Sequence, residues 1–217
     1  MTIPAAFRDA LAVLLPVRCA GCGEPDRALC ANCQRELVAK PELLFLEALP
    51  MVASALRYEG VARRVILEFK EQGRSDVAAT LALALMAALV EVISVTGVTG
   101  DVELVTVPSS RSALRRRGFE PVALLFRRQR VFIGGSVLQR VRQTENQKSL
   151  DRIQRGTNLI GSLRARGSLA GRTFVLVDDV VTTGATLREV ARAVEEAGGF
   201  VAGVATLAWA PRRCGPV

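Results

Sequence analysis

Residues 173–209 constrain the fold more than any other part of this chain. "TFVLV" (173–177) is a continuous apolar run; Asp178 and Asp179 follow it, and then comes a small turn containing Thr182, Thr183, Gly184, Ala185 and Thr186. The helical pattern "GATLREVARAVEEAG" and a second apolar run, "FVAGVATLAW", complete the block. A strand, a helix and a strand in this order form a crossover unit, and unbroken apolar strands belong in a parallel sheet covered on both faces. Ligands of such sheets bind at the C-terminal strand ends, where the two acids stand.

The rest of the chain continues the alternation. "ASALRY" (53–58) reads as a strand and "GVARRVILEFK" as a helix; "DVAATLALALMAALVEVIS" reads as a long buried helix with Asp76 available as its cap. "DVELVTVP" is a buried strand ending at Pro108, "PVALLFRRQR" a helix with Pro121 at its first position, and "SVLQRVR" a further strand. The expected fold is α/β, a parallel sheet flanked by helices. Before it, residues 1–17 pattern as an amphipathic helix with Phe7, Leu11, Leu14 and Leu15 on one face, and Pro41 and Pro50 bracket a connector. The division expected is 1–50 for a small N-terminal module and 51–217 for the α/β domain.

That module holds four of the five cysteines, in "CAGCGEPDRALCANC". Cys19 and Cys22, then Cys30 and Cys33, each have the C-x-x-C spacing with which two thiolates meet one tetrahedral ion. Gly23 permits the turn that aims backbone N–H groups at the sulfurs, and "QRELVAK" can start a helix. The sequence contains no histidine, so the site is all-cysteine, and four ligands leave no open position. The reading is structural zinc, with a redox C-x-x-C and a pair of disulfides as the competitors. Cys214 is left over as a free thiol.

The absence of histidine also removes Ser-His-Asp hydrolases, Cys-His proteases and imidazole general bases. Chemistry here must run on carboxylates, lysine, hydroxyls, backbone dipoles and metal ions. With 29 Lys+Arg against 21 Asp+Glu the formal charge is +8, nearly all of the cations being arginine. Such a surface attracts phosphates, or belongs simply to a basic soluble protein. No targeting segment is evident, and the apolar run 77–90 is too short to span a bilayer; a cytosolic protein without membrane insertion is expected.

Free N–H groups at the start of a helix, together with threonine hydroxyls, form an anion site, and Gly184 lets a phosphate approach the backbone. Adjacent carboxylates can accept hydrogen bonds from the two hydroxyls of a ribose. Asp178 and Asp179 with 182–186 therefore suit a ribose 5-phosphate bound from both ends. The alternative is an acidic strand end with a threonine cap on the next helix. Neither a G-x-x-x-x-G-K-[ST] nor a G-x-G-x-x-G motif is present.

"VLVDDVVTTGATL" resembles the PRPP-binding signature of type I phosphoribosyltransferases. The four-cysteine module, "RYEG…ILEFKEQG", "VPSSRSALRRRGF" and "TENQKSLDRIQRGTNLIGSL", in this order before it, are similar to the ComF/GntX family. The resemblance implies that Asp178 and Asp179 hold the ribose hydroxyls, and that Thr182, Thr183, Gly184, Ala185 and Thr186 hold the 5-phosphate. Ser109, Ser110 and Arg111 match the pyrophosphate loop. Gln147, Arg155 and Asn158 match a mobile loop, and Lys70 a lysine after the early helix, with Lys70, Gln147 and Arg155 as catalytic candidates. Arg115, Arg116 and Arg117 cluster beside the pyrophosphate loop, and Mg²⁺ would complete the neutralisation of its ligand. Where the family has Asn-Gln after Arg-Gly-Phe, this chain has Glu120 and Pro121.

Three functions are expected in competition. One is Mg²⁺-dependent transfer of phosphoribosyl from PRPP to a base or amine. The second is binding of PRPP or a nucleotide without turnover. The third, implied by the resemblance, is a role in DNA uptake and natural transformation, with single-stranded DNA and competence proteins as partners. An aromatic stacking platform for DNA is not evident from the sequence.

Overall fold

The computed structural model describes residues 17–129, 137–141 and 159–211, and of Arg111 only the backbone. The expectations for the N-terminal helix, for Gln147, Arg155 and Asn158, and for Cys214 lie outside the described residues. In chain order the elements are α1 (Ala31–Glu36), β1 (Glu42–Leu44), β2 (Val52–Arg57), α2 (Gly60–Glu71), a 3-10 turn (Ser75–Val77), α3 (Ala78–Thr96) and β3 (Val102–Thr106). Then follow α4 (Arg111–Arg117), α5 (Pro121–Arg128), β4 (Leu138–Arg140), β5 (Leu163–Ala165), β6 (Thr173–Val181), α6 (Ala185–Glu195) and β7 (Phe200–Trp209).

The main sheet has the order β1-β2-β7-β6-β3. β2, β7, β6 and β3 run parallel, as the apolar strand pattern required, and β1 pairs antiparallel with β2 at the edge. β1 falls in the stretch read as a connector, because three residues between prolines carry too little periodicity to declare a strand. One core layer joins the cysteine module, α2, α3 and α5 to one face of the sheet; the other packs α6 against the opposite face. Within the first, Leu81, Leu85 and Phe69 are fully buried. Each such side chain contributes about 1.5–3 kcal/mol of transfer free energy.

Four local readings are corrected. Asp76 does not cap α3: Val77 is the N-cap, and Asp76 instead accepts from Arg74 Nε and Nη2 at 2.8–3.2 Å, the local ion pair winning over the amide. β6 runs beyond the two acids to Val181, held by parallel pairing as far as Val181↔Trp209. Among the described residues of "SVLQRVR", Leu138–Arg140 form a strand, and these pair antiparallel with β5 in a separate two-stranded sheet. The apolar helical stretch is longer than 77–90: the span Ser75–Thr96 is, by length and composition, long and apolar enough to cross a membrane, and half of its apolar window is packed inside the protein.

α3 lies so close to the sheet that a Cβ on Gly203 of β7 would sit 2.5 Å from Val92 Cγ2. Gly203→Ala is therefore expected to destabilise the protein by about 1–3 kcal/mol in denaturant titrations. Adding Val92→Ala should recover part of that loss; additive losses would show that the contact does not limit the packing.

Candidate functional site

The C-terminal ends of β6 and β3 lie side by side at one edge of the sheet, and α6 follows β6 after a short turn. Pairing carries Asp178 and Asp179 into this edge as strand residues, so their side chains leave opposite faces of β6. The self-repulsion of adjacent acids is relieved by that divergence, by a backbone bond and by a lysine. Asp179 N donates to Asp178 Oδ1 at 2.8 Å. Lys70 Nζ, from the last turn of α2, contacts Asp179 Oδ1 at 2.9 Å and Oδ2 at 2.8 Å. These two side chains are only 19% and 13% exposed, so the pair is shielded from water. Lys70 is thus brought to the acids from 109 positions away in the chain. Burial of the Asp178 carboxyl, and then the charge of Asp179, push its pKa up to about 7 against the opposing Asp179 N–H and Lys70.

The threonine-rich turn follows β6 directly. Gly184 is the N-cap of α6 with φ +75°, a conformation that disfavours side chains, and a Cβ there would lie 3.0 Å from Leu49 Cδ1. Ala185 N donates to Thr183 Oγ1 at 3.4 Å. Arg188, one turn into α6, donates from Nη1 to Thr183 O at 3.0 Å and Glu47 O at 3.3 Å, tying the turn to the segment after β1. Between that segment and the turn lies a groove of ≈ 700 Å³ lined by residues that include Phe45, Leu46, Thr182, Thr183, Arg188 and Trp209. Phe45 is 86% exposed, and the buried Trp209 Nε1 has no hydrogen-bond partner among the described residues. Arg57 stacks 5.5 Å from the centroid of the Trp209 ring. No sequence period announces this aromatic and cationic grouping, because β1 and β7 meet only through β2.

On the other flank, the loop after β3 carries Ser109 and Ser110. Ser110 is spent on the fold: it is the N-cap of α4 and accepts from Ala113 N at 3.2 Å. Ser109 Oγ donates to Glu120 Oε2. Arg140 of β4 braces the loop, donating to Pro108 O from Nε at 3.0 Å and Nη2 at 2.7 Å. The arginine run is a helix, α4, in which Arg117 and Arg116 bind Glu71 at 2.9 and 3.3 Å, directly after Lys70. Arg115 is exposed. The contacts of Glu71 and Arg140 were not foreseen, and Glu120 was read only as a departure, without a partner. On the α6 side, buried Glu189 accepts from Leu163 N at 2.8 Å, and Arg192 donates to Leu163 O at 2.8 Å, so the β4–β5 sheet is anchored to both flanks.

The four cysteines form a second candidate site. Their sulfurs all lie within 4.8 Å of one another, with three of the residues buried and Cys22 exposed, and all four are free thiols. Cys30 N and Cys33 N donate to Cys19 Sγ at 3.3 Å and Cys30 Sγ at 3.5 Å. Burial is the largest influence on Cys19 and raises it, but N–H groups of Cys30, Cys22 and Gly21 outweigh it and bring the thiol down to about 6. Four soft donors at this spacing, with N–H groups aimed at sulfur, fit a tetrahedral metal ion. The disulfide alternative disagrees with the free thiols.

Comparison with known proteins places the chain in a family. Residues 114–217 match the family described as "Phosphoribosyl transferase domain". Over 178 residues the chain is 30% identical to the DNA utilization protein YhgH of Salmonella typhimurium, covering 80% of this chain and 76% of that protein. The Escherichia coli protein of the same name is 31% identical over 132 residues, 59% of this chain and 58% of that one. A stretch of 62 residues is 40% identical to the orotate phosphoribosyltransferase of Xylella fastidiosa, 29% of this chain and 26% of that enzyme.

The raised Asp178 has a measurable consequence without any ligand. Its folded pKa, about 7, exceeds the ordinary 3.8, so the folded chain holds a proton that the unfolded chain has released between these values. Its contribution is greatest below pH ~4 and is lost as pH rises through ~7. Asp178→Asn is expected to be more stable than the parent by about 1–2 kcal/mol at pH 8, with the gap closing toward pH 4. Parallel stability profiles for the two proteins would refute this.

Proposed function

Because this chain belongs to the ComF-like family of the DNA utilization protein YhgH, built on a phosphoribosyl transferase domain, we propose that it binds a ribose 5-phosphate group. The ligand carrying that group is PRPP or a nucleotide, with Mg²⁺. The observation that carries this reading is the Lys70–Asp179 pair beside Asp178, one short turn from Gly184 and the start of α6. A carboxylate pair accepts the ribose 2- and 3-hydroxyls; the 182–186 turn supplies N–H and hydroxyl donors to the 5-phosphate. Lys70 orients Asp179 and offsets its charge at the site.

Ser109, Ser110 and Arg111 stand on the pyrophosphate side, and Gln147 and Arg155 are assigned by family resemblance to closing over the ligand. Mg²⁺, when bound, would neutralise phosphate oxygens. The groove beside Thr182 and Thr183 would take a base, whether that of a bound nucleotide or that of an acceptor in phosphoribosyl transfer. In transfer, the C1–O bond to pyrophosphate breaks with its electron pair leaving on pyrophosphate. The acceptor nitrogen forms the new bond and loses its proton to solvent.

The four-cysteine cluster is proposed to hold structural zinc in a module within 1–50, ahead of the ligand-binding domain 51–217. The family relationship and the charge of +8 support a cytoplasmic role in DNA utilization and uptake, in contact with single-stranded DNA and competence proteins.

Calorimetric titration with PRPP and Mg²⁺ is expected to give saturable binding that Asp178→Asn with Asp179→Asn abolishes; unchanged affinity in the double variant would sink the ribose assignment. Metal analysis of protein purified without chelators should find about one zinc per chain, and none would overturn the cluster's assignment.

A further inference from the structure

We propose that Glu120 occupies the pyrophosphate side of the site, so that the protein selects a ribose 5-phosphate monoester, such as a nucleotide 5′ end, over a ligand that also carries pyrophosphate. This rests on the ribose 5-phosphate reading and names its substrate class.

Glu120 follows the turn at Gly118, whose φ is +75°, and is the residue just before α5. As the N-cap of α5 it could accept from that helix's own amides, but its side chain makes no capping bond. Its carboxylate instead takes the hydrogen bond of Ser109 Oγ. A serine hydroxyl has one proton. With that proton directed at Glu120, Ser109 offers an arriving pyrophosphate only lone pairs, and the carboxylate adds a charge of the same sign.

Several of the described cations on this flank are already paired. Arg116 and Arg117 are both bound to Glu71, Lys70 spans both oxygens of Asp179, and Arg140 is directed at Pro108 O. Ser110 is committed to the first turn of α4. On this flank Arg116, Arg117 and Lys70 thus already face a carboxylate and Arg140 a carbonyl, while the Ser110 hydroxyl accepts from Ala113 N.

The opposite flank differs. Among the described residues no carboxylate is hydrogen-bonded to the side chains of 182–186, and Arg188 lies beside the turn. One end of the site therefore remains receptive to a phosphate dianion, while the other is filled by the protein's own acid. Pyrophosphate binding requires Glu120 to be displaced from Ser109, which a monoester does not.

The test is calorimetry on the full chain, with and without Mg²⁺, using ribose 5-phosphate and PRPP as the two probes. The parent protein is expected to bind ribose 5-phosphate at least as tightly as PRPP. Glu120→Gln should tighten PRPP about tenfold, the scale of removing one close like-charge contact near a protein surface, and leave ribose 5-phosphate within about twofold. Glu120→Ala should do the same, which separates loss of charge from gain of an amide and provides a second variant should the first fold poorly. A parent that binds PRPP more than tenfold tighter than ribose 5-phosphate overturns the proposal, as does an unchanged ratio in both variants. Weakening of PRPP by Glu120→Gln only when Mg²⁺ is present also overturns it, by making Glu120 a partner of the metal. Failure of ribose 5-phosphate to bind to any of the proteins defeats the underlying reading as well, and is thereby distinguished from failure of the selectivity alone.

Discussion

Two adjacent carboxylates at the end of a buried parallel strand are the constraint around which this molecule is arranged. β6 lies between β7 and β3 with both faces covered, so its last residues enter a region where ionised groups are poorly hydrated. The pleat sends the two acids to opposite faces, Lys70 meets one of them, and the other retains an elevated pKa. An apolar pair at these positions would suit the unliganded protein better. Retaining two acids at the expense of stability is what a binding site does when its ligand brings the missing hydrogen-bond donors.

Lys70 in turn depends on how α2 is held. Ile66 and Phe69 are fully buried from that helix, and the cysteine module docks against its other end. Gly21 packs so tightly there that a Cβ would lie 2.5 Å from Cys33 Sγ and 3.0 Å from Val61 Cγ1, and Arg64 donates to the Gly21 carbonyl. The module is thus part of the core beneath the site. A metal that stabilises the cysteine cluster also stabilises the seat of the helix that presents Lys70.

The two flanks of the carboxylates are unlike in their electrostatics. Toward α6 the turn is neutral apart from Arg188, and opens on a groove with exposed Phe45 and partly buried Trp209. Toward α4, Arg116 and Arg117 are paired with Glu71, and the Ser109 hydroxyl is directed at Glu120. The arginine run "RSALRRR" looked in sequence like a patch of unopposed charge beside an anion loop. Folding spends two of these arginines on one glutamate, which lessens the charge that segment presents.

The sequence by itself determined the alternation of strands and helices, the doubled C-x-x-C cluster and the position of the acid pair ahead of a threonine-rich turn. Each of these rests on local chemistry: apolar runs, fixed ligand spacing, and a glycine whose backbone must turn left-handed at 184. Tertiary structure decided the rest. The partnership of Lys70 with Asp179, the capture of Ser109 by Glu120, the sharing of Glu71 and the aromatic groove under the threonine turn all join residues from separate elements. Two of these were only half legible: Lys70 was placed by family resemblance and Glu120 stood out as a departure, yet neither reading could name a partner. No periodicity encodes such pairs, because they depend on the order of strands in the sheet and on which face each side chain leaves.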